Sequence, residues 1–567
     1  MLPLVLGATH GVIGAGDTAV VRTLDEIVST AGRLEEREHP RWLVVSAGSA
    51  LRAVVAAGVG VARCWDVAEV HRILHGGWAA DMPRVWASLE GLDPAGLPTR
   101  PSGDLFDLLA DHSAARDDPD SPLRTDGHLR FEAFDGSWAV GAQRLRRLAD
   151  LLLDVGRRQE AALEELGPRA VRTAHSESAA AVLCVELEQH GLPVDRTVAE
   201  GLIAGSAGPR PRTEAEAGAI RAERDRVVLA HAPGRESTDL RNPVQVKDLL
   251  AAVGVQVPNT RAWVLEPFRA THPLVEALLQ WRKDERIATT YGYRWLDEHV
   301  APDDRLRGRW SSSDGAAGRM TAQNGLHNLP TPLRPAIAAH PGHVFVRADL
   351  GQIEPRVLAV VSGDRAFAEA THADDLYAPV AAKLGINRAV AKVAVLAAMY
   401  GQRSGAAGEA LRDLERAYPV AMGLLDDAYA AGQQRRALRT FGGRRISLDA
   451  VPATRDPSET SGNAGNAQAV DSARGRFARN ALIQGAAAEL FKAWAATVRH
   501  SVAPLGGRIV LCLHDELLVH APKETAAEVQ QVVVASLTDS ARRWAGTDQV
   551  RFVADASVIR RWSQAKG

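Results

Sequence analysis

Cysteine is scarce and dispersed: Cys64, Cys184 and Cys512 are the chain's only three. So spaced, they form neither a disulfide framework nor a metal knuckle. There are six tyrosines and none before Tyr291, which excludes any tyrosine-bearing motif from the first half. No apolar run reaches the roughly 18 residues needed to cross a bilayer as a helix. The opening MLPLVLGATHGVIGAG is apolar but lacks the basic start of a signal peptide, and it reads as a buried strand. Neither sign of charge dominates, with 67 Lys+Arg against 69 Asp+Glu, a net charge of -2. Near-neutrality does not exclude nucleic acid, because phosphate contact needs only a local basic stripe. There is no fixed-period repeat. What remains is 567 residues, 46% hydrophobic and 24% charged, enough for three or four domain-sized units. A reduced, cytoplasmic enzyme is expected.

Residues 1 to about 110 mix short apolar runs (LPLVLG, RWLVVSA) with helical segments such as Val67–Leu74, the pattern of a small α/β unit. Residues 111–136 are polar and read as a loop. From Gln143 to about Glu200 the pattern is helical, broken by Gly191 and Pro193. GSAGPRPRTEAEAG, from Gly205, reads as a flexible connection. More helices run to about His299, and Pro452–Gly475 reads as a second loose stretch.

Three segments carry chemistry. In RIVLCLHDELLVHAP the trio His514-Asp515-Glu516 lies between apolar runs, which predicts two buried strands joined at an acidic tip. Adjacent carboxylates between such strands need a compensating cation unless the tip is simply exposed. In HVFVRADLGQIEPRVLAVVSGD, Asp349 closes a strand and a helix follows from Ile353. An aspartate at a strand end suits Mg²⁺, and two from separate strands could hold two ions about 4 Å apart. In NRAVAKVAVLAAMYGQ, Arg388, Lys392, Leu396 and Tyr400 recur every fourth residue along one helical stripe. That stripe suits a triphosphate followed by sugar and base, or is a solvated basic face.

In their order, DLGQIEPRVLAVVSGD, RAVAKVAVLAAMYG and LHDELLV resemble motifs A, B and C of family A DNA polymerases, the group of the bacterial DNA polymerase I large fragment. GRMTAQNGLHNLP, RTFGGRR and RFARNALIQGAAAELFK resemble further segments of that family, and the likeness covers about Ser176 to the C-terminus. It implies an α+β right-hand architecture: an antiparallel palm sheet with helical fingers and thumb, preceded by a small α/β unit of the ribonuclease H-like exonuclease type. The implied boundaries are 1–175 for the exonuclease-like unit, 176–310 for the thumb, 311–372 and 476–567 for the palm, and 373–475 for the fingers. Carried over residue by residue, Asp349 and Asp515 hold two Mg²⁺ ions (Mn²⁺ as substitute), the Leu350 carbonyl adds a ligand and Glu516 sits beside them. Arg388 and Lys392 hold the triphosphate, with Gln352, Leu396 and Tyr400 around the nucleotide. Glu354 is the gate against a ribose 2′-OH. Arg319, Asn328, Arg476, Asn480, Gln484 and His514 contact primer–template DNA. The implied partners are primer–template and dNTPs, with no membrane, a monomeric state and a cytoplasmic, nucleoid-associated location.

The chain departs from the family pattern at Leu350-Gly351, where Tyr-Ser is common, at Pro355, Leu396 and Ala397, and at His327. These changes touch the sugar pocket rather than the metal aspartates, so a slower or more permissive polymerase is expected. Residues 1–175 contain no Asp-x-Glu, and the missing early tyrosines exclude a Tyr-x3-Asp motif. Arg63-Cys64-Trp65-Asp66 faintly resembles a second exonuclease motif and His112 to Asp117 a histidine variant of the third. A degenerate, non-degrading brace is expected, suited to repair or gap filling. The chain starts about where a 5′ nuclease would end, so flap removal is expected from another protein. Two other readings compete. One is a catalytically silent protein that binds primer ends, against which the joint presence of Asp349, Asp515, Arg388, Lys392 and Tyr400 argues. The other is an RNA-synthesising or reverse-transcribing enzyme, against which Glu354 and the tyrosine-ended motif B argue. The cluster Arg435, Arg436, Arg439, Arg444 and Arg445 is expected to contact phosphate, with a solvated surface as the alternative.

Overall fold

The apolar opening forms β1 (Leu2–Leu6), the middle strand of a five-stranded sheet in the computed structural model, which describes residues 1–98, 118–323, 325–401, 407–448, 463–513 and 515–565. β1 pairs antiparallel with β2 (His10–Ile13), and β2 with β3 (Val20–Thr23); helix α1 (Leu24–Arg37) follows. On its other side β1 pairs parallel with β4 (Arg41–Val44), and β4 with β5 (Arg63–Asp66). Trp42, Leu43 and Val44 are all fully buried, as expected of a parallel strand covered on both faces. α2 (Val67–His75) starts where the Asp66 carboxylate accepts from the Glu69 N–H (3.0 Å) and the Ala47 N–H (2.7 Å). Two long helices, α3 (Ala142–Leu166) and α4 (Pro168–His190), cover the sheet: Leu43 packs with α3, while Trp42 and Val44 pack with Val182 and Val185 of α4.

Further along lie β6 (Arg319–Ala322), β7 (His343–Leu350), α5 (Ile353–Ser362), α6 (Arg388–Tyr400), the long α7 (Asn463–Val502), β8 (Arg508–Leu513), β9 (Glu516–Pro522), α8 (Ala526–Ala545) and β10 (Ala554–Ile559). β8, β9, β7 and β10 form a four-stranded sheet in that order, with β8 and β9 an antiparallel hairpin. Phe345, Val346, Leu511, Cys512, Leu517, Leu518 and Val519 are fully buried in it. Such near-continuous apolar runs need cover on both faces, and α4 and α8 pack against this hairpin.

Charges are also buried between α4, α7 and the turn Thr440–Arg444. Glu177 and Lys492 are fully buried and ion-paired, and Arg444 meets the same Glu177 oxygen at 2.8 Å. Glu489 accepts from the Thr440 hydroxyl and from the Gly442 N–H at 2.8 Å. Gly442 permits that approach, since a Cβ there would collide with Thr173 and Glu489.

The chain divides into two compact units: Met1–His190, Arg309–Ala322 and Val344–Val558 form one, and Gly191–Gly308, Gln323–His343 and Ile559–Gly567 the other. The second is mostly helical; its helices Glu214–Leu229, Pro243–Ala252 and Pro273–Thr290 bury Val246, Leu250, Leu274 and Leu278. Among the described residues no helix is long and apolar enough to cross a membrane.

Two loop expectations are corrected. The stretch from Gly205 is a connection only over 208–213: Gly205 lies in the helix Arg196–Ala207, and Glu214 opens the next, capped by the Thr213 hydroxyl accepting from the Glu216 N–H (3.2 Å). From Asn463 the second loose stretch is already α7, while 452–462 lie outside the described residues. Position 175/176 falls inside α4, which packs on the five-stranded sheet and on α7, and the units divide after His190.

Burial pushes the Glu489 carboxyl up from 4.5 to about 7. The proton it holds when folded contributes stability that is fully present below the unfolded value and lost as pH rises through the folded one. Glu489→Gln keeps an acceptor for the Gly442 N–H. It is expected to flatten the fall in stability between about pH 5 and about pH 8, read by chemical denaturation, and to be more stable than the parent at the alkaline end. A parental slope would show that Glu489 is ionised in the fold.

Candidate active site

β7 carries Asp349 one residue before its end, and the Leu350 N–H donates to the Asp515 carbonyl at 2.8 Å. That bond ties the end of β7 to the tip of the β8–β9 hairpin, whose register closes at Leu513↔Glu516 and leaves 514 and 515 between the strands. Asp349, Asp515 and Glu516 thus gather at one end of the sheet. His514 lies outside the described residues. Arg347, 6% exposed, faces the group: its Nη2 donates to Asp349 Oδ2 (2.8 Å) and its Nε to Glu516 Oε1 (2.9 Å). Burial, with the Asp349 charge beside it, pushes the Asp515 carboxyl up to about 6. Asp349 is also raised, by burial first and then by Glu516 and Asp555, against the pull of Arg347.

α5 starts beyond a left-handed residue, Gln352 (φ 56°). The Gln352 side chain donates to Asp375 Oδ1 (2.8 Å) and accepts from the Leu376 N–H (2.8 Å). Pro355 sits in the first turn, where it cannot donate to the Gly351 carbonyl; the Arg356 Nε donates there instead, at 3.0 Å. The other four N–H groups of Arg356 go to the carbonyls of Thr371 (2.6 Å), Arg551 (2.6 Å), Ala373 (2.9 Å) and Asp374 (2.8 Å). All five donors of a fully buried guanidinium therefore hold backbone. Glu354, one turn away, accepts from Arg319 Nη2 (2.8 Å) and from the Tyr400 hydroxyl (3.0 Å), which Gln484 also reaches.

α6 is capped by Asn387, whose side chain accepts from the Val390 N–H (2.9 Å), and ends at the left-handed Gly401 (φ 70°). Arg388 and Lys392 are exposed, Leu396 is half-buried against the core, and Tyr400 is 37% exposed. Arg388 pairs with Asp375 at 2.5 Å. Arg476, Asn480 and Gln484 follow at four-residue spacing on α7. α7 is fastened to α6 by Arg479, which donates to the Ala398 carbonyl at 2.6 Å, and Arg476 packs against Gly401.

The structure thus brings Asp349, Leu350, Asp515 and Glu516 into one group, and Glu354, Arg319, Tyr400 and Gln484 into another. Asn328 belongs to the second unit, where its carbonyl accepts from the Tyr291 hydroxyl (2.8 Å) and Arg286 (3.1 Å). The basic cluster is corrected at two positions. Arg444 is buried against Glu177, and Arg439 donates to the Ile73, Leu74 and Gly443 carbonyls, so both serve the fold; Arg435, Arg436 and Arg445 are exposed. Sequence reasoning passed over Arg347, Arg356 and Asp375. The signal for Arg347 was a lone charge inside an apolar strand.

Among the described residues no group of three or more His, Cys, Asp or Glu side chains is arranged to hold a metal alone. The all-oxygen donors Asp349 and Asp515 still fit Mg²⁺, which takes one or two carboxylates and completes its shell with water and phosphate. The raised Asp515 carboxyl reflects burial first and the Asp349 charge second, and a divalent cation would offset both.

The fold matches a solved structure over the full chain. The POL domain of Pol1 from M. smegmatis, in complex with DNA primer-template and dNTP, superposes with a TM-score of 0.67 at 21% identity, covering 100% of this chain and 96% of that one. A family model for DNA polymerase family A matches residues 230–564, and the chain belongs to that family. The thermostable DNA polymerase I of Thermus caldophilus is 30% identical over 338 residues, 54% of this chain and 38% of the relative. DNA polymerase I of Chloroflexus aurantiacus is 31% identical over 310 residues, 49% of this chain and 31% of the relative. The matches therefore take in under two fifths of either relative's length.

Lysine offers three donors where Arg356 uses five. Arg356→Lys leaves at least two of these carbonyls without a donor, and a loss of about 2–4 kcal/mol in unfolding free energy is expected. A loss below about 1 kcal/mol, measured by denaturant titration, would show that water or another group replaces the clamp.

Proposed function

We propose that the chain extends the 3′ end of a DNA primer on a DNA template with deoxynucleoside triphosphates. The observation that carries this reading is the joining of β7 to the β8–β9 tip, which gathers Asp349, Asp515 and Glu516 at one sheet end with Asp515 raised to about 6. Family membership and the complex in which the M. smegmatis neighbour was seen support it.

In this reading the four-stranded sheet is the palm, the helices of 373–475 the fingers and the second unit the thumb. Asp349, Asp515 and the Leu350 carbonyl would hold two Mg²⁺ ions, with Mn²⁺ as substitute and Glu516 beside them. Bound there, the ions supply activation of the primer hydroxyl and neutralise the departing pyrophosphate. Arg388 and Lys392, exposed one turn apart, take the triphosphate oxygens, and Asp375 keeps Arg388 from swinging free. Gln352 fixes the turn below the nucleotide and Leu396 fills space beside its sugar and base. Glu354, held from two sides by Arg319 and Tyr400, presents a rigid wall to a 2′-hydroxyl. Arg319, Arg476, Asn480 and Gln484 would contact the primer–template, the role the family resemblance also implies for Asn328 and His514. Catalysis in this reading is positioning and charge stabilisation.

The same reading takes residues 1–175 as a brace without proofreading. Asp66 is 2% exposed and both its oxygens are occupied by backbone N–H groups, a capping role. The third-motif variant, His112 to Asp117, lies outside the described residues. A monomer acting in gap filling or repair, associated with the nucleoid, fits these assignments.

Two outcomes are expected. A labelled primer on a DNA template is extended with dNTPs and Mg²⁺ by the parent chain, at least about a hundredfold more slowly by Asp515→Ala, and is not shortened by either. Folded protein that binds primer–template without extending it would instead identify an end-binding protein. Glu354→Ala is expected to raise rNTP incorporation relative to dNTP by about tenfold or more; an unchanged ratio would remove Glu354 from the gate.

A further inference from the structure

The sheet end holds a buried cation as well as its carboxylates. Arg347 is 6% exposed on β7, and its guanidinium is divided between Asp349 Oδ2 (2.8 Å) and Glu516 Oε1 (2.9 Å). Asp555 lies at 3.8 Å and is 74% exposed, so water screens that third contact. Arg347 does not touch Asp515. Of the three clustered carboxylates, two thus share one positive charge in a planar fork, while the third faces the site without it.

We propose that Arg347 is a built-in counter-cation: it fixes the orientation of Asp349 and Glu516 before any divalent ion arrives, and it weakens the cluster's hold on that ion. A metal binding Asp349 must share a carboxylate already engaged by the guanidinium, close to a buried like charge. Glu516, held by the Arg347 Nε, is turned towards the strand rather than left to swing into the metal shell. Arg347 is accordingly a positioning residue. Its charge trades metal affinity for a carboxylate frame that keeps its shape as ions come and go. This inference rests on the two-aspartate metal reading above.

The test is Mn²⁺ binding to the full chain without DNA or dNTP, followed by the electron paramagnetic resonance of free Mn²⁺. Arg347→Met, which keeps length and removes charge, is expected to bind about tenfold more tightly than the parent. Arg347→Lys keeps the charge and should stay within about threefold. At saturating Mn²⁺, Arg347→Met should extend primers with lower kcat but unchanged KM for dNTP, and Arg347→Lys should recover part of that kcat. A folded Arg347→Met chain that binds Mn²⁺ no more tightly than the parent overturns the proposal. If that variant does not fold, Arg347→Met/Glu516→Gln removes both partners of the pair. It should bind about tenfold more tightly than Glu516→Gln alone, and equal affinity of the two is again an overturning result. Tighter Mn²⁺ binding by Arg347→Met in a chain that extends no primer would support the counter-cation and refute the polymerase reading. Absence of Mn²⁺ binding by the parent would refute the counter-cation itself.

Discussion

Arg356 gives its five N–H groups to five backbone carbonyls drawn from three separate stretches of chain: Gly351, Thr371 to Asp374, and Arg551. A buried guanidinium in a fixed planar fork tolerates little displacement of any of them. Gly351 lies between Asp349 and Glu354 in the chain. The carbonyls of Ala373 and Asp374 set the path into Asp375, which in turn holds Gln352 and Arg388. Arg551 leads into the strand that flanks β7. The side chains assigned to catalysis thus inherit their geometry from a residue assigned to none of it. Burial draws the Arg356 guanidinium down to about 10, still well above neutrality, so the clamp stays charged.

The molecule uses buried charge in two ways. Where every buried charge meets a partner, as in Glu177 with Lys492 and Arg444, the result is a rigid junction between α4, α7 and the Thr440–Arg444 turn. Where burial outweighs compensation, as at Asp349 and Asp515 beside Glu516 and Arg347, the two aspartate carboxyls are raised from their ordinary range. Functional sites are commonly found where such compensation stops short. Glu354 stands between the two: Arg319 and the Tyr400 hydroxyl hold it from both sides.

Much of this was legible in the sequence because short-range rules govern it. The β7 strand and its helix, the stripe on α6 and the β8–β9 hairpin follow from apolar runs, four-residue spacing and a short charged break between strands. Loops were less legible. The stretch from Gly205 is a connection only over 208–213, because the helix before it runs to Ala207 and Thr213 caps the next. The five-residue cluster of arginines between Arg435 and Arg445 looked uniform, yet Arg439 and Arg444 turn inward to partners more than two hundred residues away. Neither partner could be named from local pattern. For the same reason Arg347 and Arg356 went unnoticed, since what each does depends on strands and turns brought together by tertiary folding.

α4 belongs at once to the five-stranded sheet, through Val182 and Val185, and to the core around α7, through Glu177. Its length leaves no seam at which the first 190 residues could be detached as a cassette. Deleting them would strip Lys492 and Arg444 of the Glu177 carboxylate that both meet in a buried interior. A segment packed in this way is tied to the core around α7. Its packing residues are then constrained by two cores at once, whatever the rest of its sequence does.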